Sequence, residues 1–194
     1  LDPQGSSTRW LANRPASLAS IIGTEGFQNS LQVTKTWHLR TPENSDLAVI
    51  DTPAGLTRQE LISATRGADA ILIPVMPSDI DIHAVMKCIS DLLLVAKIPR
   101  PDMKIGIIAN RVRANTRVYG QLKKFLSSLD IPVVATLRDS QNYTRAFEFG
   151  MGIHEMPFSQ VKKDIDAWSD IMGWLDRLRE RNLGQPSAIH YLRG

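Results

Sequence analysis

The chain has 194 residues, is 43% hydrophobic and 22% charged, and carries a formal net charge of +3. That is enough for one α/β domain with a sizeable core. No apolar run reaches the roughly 20 residues of a membrane span, and LDPQGSSTRW lacks the basic and apolar regions of a leader, so a cytoplasmic protein with no membrane partner is expected.

In chain order, Leu47–Ile50, Ala70–Val75, Lys104–Ala109 and Val133–Leu137 are short apolar runs without alternation, as in strands buried on both faces. Between them Thr57–Arg66, Ile80–Ala96, Thr116–Leu129 and Gln141–Phe149 have helical patterns, with Gly67, Pro99-Arg100-Pro101, Asp130 and Gly150 as stops. The longest pattern, Phe158–Arg181, repeats Val161, Ile165, Trp168, Met172, Leu175 and Leu178 at spacings of three and four, one apolar stripe to lay on a sheet. The alternation predicts an α/β fold, a doubly wound, mostly parallel sheet flanked by helices. Residues 1–182 form one domain in this reading, and 183–194 form a tail of turn residues.

Ligands of such sheets bind beyond the carboxyl ends of the strands, where Asp51, Pro77-Ser78-Asp79, Asn110-Arg111 and Arg138-Asp139-Ser140 all fall. Asp79 or Asp81 suits a helix start better than a metal. A single cysteine, Cys88, excludes an internal disulfide framework and reads as a small buried helix residue. The four histidines, His38, His83, His154 and His190, form no ligand spacing, and Trp10, Trp37, Trp168 and Trp174 read as core or interface anchors.

Five segments carry more chemistry together than alone: DPQGSSTRWL at the start, AVIDTPAGL after the first run, ILIPVMPSDIDIHAV, IIANRV, and LRDSQNYTRAFEFGMGIHE. In this order and spacing, over Asp2 to about Trp174, the chain resembles the ParA/MinD family of deviant-Walker P-loop ATPases, most of all the short ParA-type partition proteins. It departs from the family at one place. The pattern G-x-x-x-x-G-K-[ST] is missing, the dipeptide Gly-Lys does not occur, and the family's opening strand, P-loop and helix have no counterpart here. A fragment of a longer protein is the simpler expectation; the rival is a natural relative that lost its P-loop.

The resemblance implies ATP and Mg as cofactors. It makes Asp51 the Walker B carboxylate, holding magnesium through its coordinated waters, and makes Asp2 a second catalytic acid near the attacking water. Gln4, Gly5 and Ser6 would line the same loop, Asn110 would hydrogen-bond the purine edge, and the Arg138, Asp139 and Ser140 segment would wall the base. The implied activity is ATP hydrolysis coupled to homodimerisation and non-specific DNA binding, with release by a ParB-like or cargo-adaptor partner protein. The location implied is the cytoplasm, on the nucleoid, and the cargo a plasmid, a chromosome origin, or an assembly such as a carboxysome or chemoreceptor cluster. A different class of reading is a non-enzymatic, P-loop-less module that binds DNA or a partner.

Charge supports a polyanion partner independently. Residues 1–96 hold 7 Lys and Arg against 10 Asp and Glu, whereas residues 97–194 hold 16 against 10. Arg145, Lys162, Lys163, Arg177, Arg179 and Arg181 are the expected phosphate contacts. The competing expectation is that Asp164, Asp166, Asp170, Asp176 and Glu180 pair with these cations and merely solubilise the last helix.

Overall fold

The computed structural model describes residues 5–23, 45–52, 55–98 and 104–183. Asp2, Gln4, Trp37, His38, Pro99-Arg100-Pro101, His190 and the expected tail from residue 184 onward lie outside the described residues.

Three apolar runs become strands, β1 (Ile71–Val75), β2 (Ile105–Val112) and β3 (Val133–Arg138), all parallel in the order β1-β2-β3. Residues Ile105, Ile107 and Ala109 of β2 face one layer, helices α3 (Asp79–Leu94) and α4 (Arg117–Ser127), whose Val85, Ile89, Leu92, Leu122 and Leu126 complete that core. Ile108 faces the other side with Ala135 and Leu137, against Ile171 of α6 (Phe158–Leu183). Helices on both faces explain why Ile105–Ala109 of β2 is an unbroken buried run, because neither side meets water. β3 departs from that expectation: at the end of the three strands its burial alternates, with Val133 exposed.

The remaining elements are α1 (Ser6–Ala12), α2 (Arg58–Thr65), α5 (Gln141–Glu148) and a 3-10 turn, Ile153–Glu155. α2 starts where Thr57 and Glu60 form a capping box: the Glu60 N–H donates to Thr57 Oγ1 and the Thr57 N–H to Glu60 Oε2. Ser78, Thr116 and Ser140 cap α3, α4 and α5 in the same way, each accepting a backbone N–H of the first turn.

Two expectations are corrected. The run Leu47–Ile50 is not a strand: it is extended chain with Leu47 70% and Val49 83% exposed. A strand needs a neighbour to exchange N–H and C=O groups with, and among the described residues none lies beside this run. The buried stripe of α6 is also rotated from the expected one. Val161, Asp164, Ile171, Trp174 and Leu178 are buried while Met172 is exposed. The rotation follows from the sheet, because Gly106 leaves a hollow under Trp174; a Cβ there would stand 2.4 Å from Val134 Cγ2 and 3.1 Å from the indole.

Candidate functional site

Asp51 follows the extended run and reaches back to the first helix, where Ser7 Oγ donates a 2.6 Å hydrogen bond to Asp51 Oδ2 across 44 residues of sequence. Gly5 precedes Ser7 in the left-handed region at φ 66°, and its carbonyl accepts the Arg9 N–H at 2.9 Å, closing the first turn of α1. The Gly and Ser residues here predict a loop, and the structure forms helix α1 over Ser6–Ala12 instead. It forms because Trp10, Asn13 and Arg14 find partners far along the chain.

Those partners lie around the stretch from Glu148 to Glu155. Trp10 Nε1 donates to the Met151 carbonyl at 3.1 Å, and Asn13 Nδ2 donates to the Glu148 carbonyl. Arg14 forks onto the Glu155 carboxylate at 2.6 and 3.0 Å, donates to the carbonyls of Gly150 and Ala19, and sits 5.3 Å from the Trp10 ring centroid. The fork holds the Glu155 carboxyl below the usual carboxylate range. Gly150, at φ 63°, permits this approach, since a Cβ there would stand 2.4 Å from the Arg14 backbone nitrogen.

The carboxyl ends of β2 and β3 form a second part. Ala109 pairs with Thr136 and Val112 with Arg138, so β2 carries one extra residue, a bulge at Asn110-Arg111 with Arg111 at φ 50°. Asn110 Oδ1 accepts the Arg111 N–H at 2.9 Å, which leaves its amide NH2 without a partner among the described residues. Asp139 accepts from Arg113 Nε at 2.8 Å and from Arg111 Nε at 3.3 Å, and the two guanidinium bonds hold its carboxyl below the ordinary range. Asn110 and Asp139 are thus brought to one rim, Asp139 as a clamp on the bulge.

Arg138, expected in the segment that walls the base, ends β3, and its guanidinium forks onto Asp164 at 2.7 and 2.8 Å. Asp164 has no accessible surface and also accepts from Asn142 Nδ2 at 2.7 Å. Burial opposes its ionisation, but the Arg138 and Asn142 hydrogen bonds outweigh that and keep the carboxyl below its usual value. Ser140 serves as the cap of α5, its Oγ accepting the Asn142 N–H.

Arg145, Lys162, Lys163, Arg177, Arg179 and Arg181 are exposed, and among the described residues none of them makes an ion pair. The expected partner Asp164 is taken by Arg138 instead. On α6, Lys162, Lys163, Arg177 and Arg181 fall within about 100° of one another at 3.6 residues per turn, but Asp166, Asp170 and Glu180 share that sector. Asp79 and Asp81 stand in the first turn of α3, where the Asp81 N–H donates to Ser78 Oγ. Among the described residues no three His, Cys, Asp or Glu converge, and no helix is long and apolar enough to cross a membrane. Burial pushes the Cys88 thiol up, as for a packed helix residue.

Beyond the residues expected from the sequence, the structure brings Ser7, Arg14, Arg113, Glu155 and Asp164 into these contacts. Two signals were present in the sequence: Asp164 is an acid inside an apolar stripe, and Arg113 stands two residues after Arg111 at a strand end.

No protein-family model matches the chain. The chain is similar to a protein named Maintenance of carboxysome distribution protein A, of Halothiobacillus neapolitanus (strain ATCC 23641 / c2), at 25% identity over 158 residues, 80% of this chain and 71% of the relative.

Proposed function

We propose that this chain is the core, residues 1–182, of a ParA-like ATPase that positions a cargo by ATP-dependent homodimerisation and non-specific DNA binding. The observation that carries the reading is the Ser7–Asp51 hydrogen bond, which joins the two acidic-motif segments that the family resemblance would place around a bound metal. The parallel sheet with helices on both faces and the similarity to a carboxysome distribution protein support it. The relative's name favours a protein assembly over a plasmid as the cargo, with a cargo-adaptor as the stimulating partner. The working place of such a protein is the nucleoid.

The side chains fit the cofactor in part. Asp51 and Ser7 offer oxygen donors of the kind magnesium takes through water, and Asn110 offers a free amide beside the rim. A lysine-bearing glycine loop for the phosphates is not in this sequence. Bound magnesium–ATP supplies a phosphoryl group open to attack by water. In this reading Asp51 orients the ion's water shell and Ser7 fixes the Asp51 carboxylate, while Asp2 orients the attacking water. Asn110 selects the purine, and Asp139, through Arg111 and Arg113, keeps the bulge that presents Asn110.

Alone, the chain is expected to bind the triphosphate very weakly, since each charge-assisted bond it cannot make is worth about 1.5 to 3 kcal/mol. The reading is tested with Asp51→Ala and Asp2→Ala in a protein that includes the coding sequence running into Leu1. Titration with a non-hydrolysable ATP analogue should show affinity lost in Asp51→Ala and kept in Asp2→Ala, with turnover lost in both. Equal loss of affinity in the two variants refutes the division of roles. The second reading is the P-loop-less binding module. That module takes precedence if the codons before Leu1 encode no strand and lysine-bearing glycine loop.

A further inference from the structure

Between residues 104 and 129 the chain holds Lys104, Arg111, Arg113, Arg117, Lys123 and Lys124 and not one Asp or Glu. Lys104 is turned away, its Nζ donating to the Ala68 carbonyl. The other five are exposed: Arg117, Lys123 and Lys124 lie on α4, and Arg111 and Arg113 lie just before it. Arg113 abuts the start of α4, where Thr116 Oγ1 donates to its carbonyl, and Arg111 lies beside it. A single carboxylate, Asp139, serves both guanidiniums, so that end of the patch keeps a surplus positive charge.

Along α4, Arg117, Gln121 and Lys124 recur at four and three residues, opposite the buried Leu122 and Leu126, and so share the outer face. Lys123 lies to one side, its ammonium 4.9 Å from the Tyr119 ring centroid, which holds the stem against the helix. The contrast with α6 is in composition, because the cations of α6 share their sector with acids and those of α4 do not.

We propose that the outer face of α4, with Arg111 and Arg113 at its head, is a binding surface for the phosphate backbone of duplex DNA. This rests on the DNA-binding reading above and moves its main contact off α6. Arg, Lys and Gln are side chains that bind phosphate oxygens without reading sequence. The 11 residues of α4 extend about 16 Å, a length over which a duplex presents roughly ten charges, so several cations can engage together. An anionic membrane fits less well, because it also requires a broad apolar face, and Val118 is the one large apolar residue exposed on α4. A protein partner would need an apolar or aromatic centre that this face lacks.

The test is fluorescence anisotropy of a random-sequence duplex across a salt series. In a protein that includes the coding sequence running into Leu1, it compares the unaltered sequence, Arg117→Gln/Lys124→Gln and Arg177→Gln/Arg181→Gln, each with and without magnesium–ATP. These are exposed positions, and unchanged melting temperatures verify folding. The α4 variant is expected to lose about 1.8 from the slope of log K against log salt, and roughly 60-fold in affinity near 0.1 M, with a much smaller change in the α6 variant. Loss confined to the α6 variant overturns the α4 surface and leaves the DNA-binding reading standing. No duplex binding by that unaltered protein in either condition overturns both. Binding to anionic vesicles but not to duplex overturns the choice of partner.

Discussion

Arg138→Met is expected to lower stability by about 3 kcal/mol near neutral pH, the low end for breaking a buried ion pair, because Arg138 itself is 46% exposed. The substitution keeps much of the stem volume and leaves the fully covered Asp164 carboxylate with only the neutral side-chain hydrogen bonds of Asn142 and Ser140. For a chain of this size such a loss lowers Tm by roughly 6 to 12 °C.

Its pH dependence separates charge from packing. The folded-state pKa of Asp164 is depressed, so the contribution of the pair is fully present above the unfolded carboxylate value of about 3.9 and is lost as pH falls through the lower, folded value. In the variant the burial penalty dominates, and protonation relieves it. The stability difference between the unaltered chain and the variant, from urea unfolding, should therefore be largest above about pH 5 and shrink in acid. A difference independent of pH would show that Arg138 acts through packing alone. Arg138→Lys should recover only part of the loss, because an ammonium cannot form the two-pronged contact.

Gly150→Ala is expected to undo the docking of α1. The left-handed conformation costs an alanine about 1 to 2 kcal/mol. The new Cβ would also stand 2.4 Å from Arg14 N and 2.5 Å from Arg14 Cα and Asn13 C, all backbone atoms that no rotamer change can move. The end of α1 must shift by about 1 Å to reach ordinary contact distance. That shift breaks the bonds from Trp10 to Met151 and from Arg14 to Gly150 and Glu155. A total near 3 kcal/mol follows if the helix is retained, and less if α1 detaches. Hydrogen exchange decides between these: faster exchange confined to residues 5–19 marks detachment, and faster exchange throughout marks global destabilisation. Unchanged exchange and an unchanged unfolding midpoint would show that α1 is not anchored at Gly150.

Anchoring has a consequence for the proposed site. Ser7 and Arg14 stand on one short segment, so the Ser7–Asp51 contact depends on the bonds from Trp10 and Arg14 to Met151 and Glu155. Weakened magnesium–nucleotide binding in Gly150→Ala is the corresponding functional expectation in a protein that includes the coding sequence running into Leu1.

The α/β class, the three parallel strands and every helix from α2 onward follow from local features: apolar runs with β-branched residues, caps at Thr57, Ser78, Thr116 and Ser140, and three-and-four spacings. These signals operate within about a turn or a strand, and sequence holds them completely. Two things were decided only by tertiary structure. The run Leu47–Ile50 has the composition of a strand but is not one, since strand formation depends on a neighbour and not on the run itself. The roles of Arg138, Asp139 and Arg14 depended on which carboxylate or guanidinium came within about 3 Å across 26, 28 and 141 residues of chain. A charged residue shows its type in sequence but not its partner. Pairing is set where layers pack: α6 lies with Trp174 over Gly106, and the same helix brings Asp164 to Arg138.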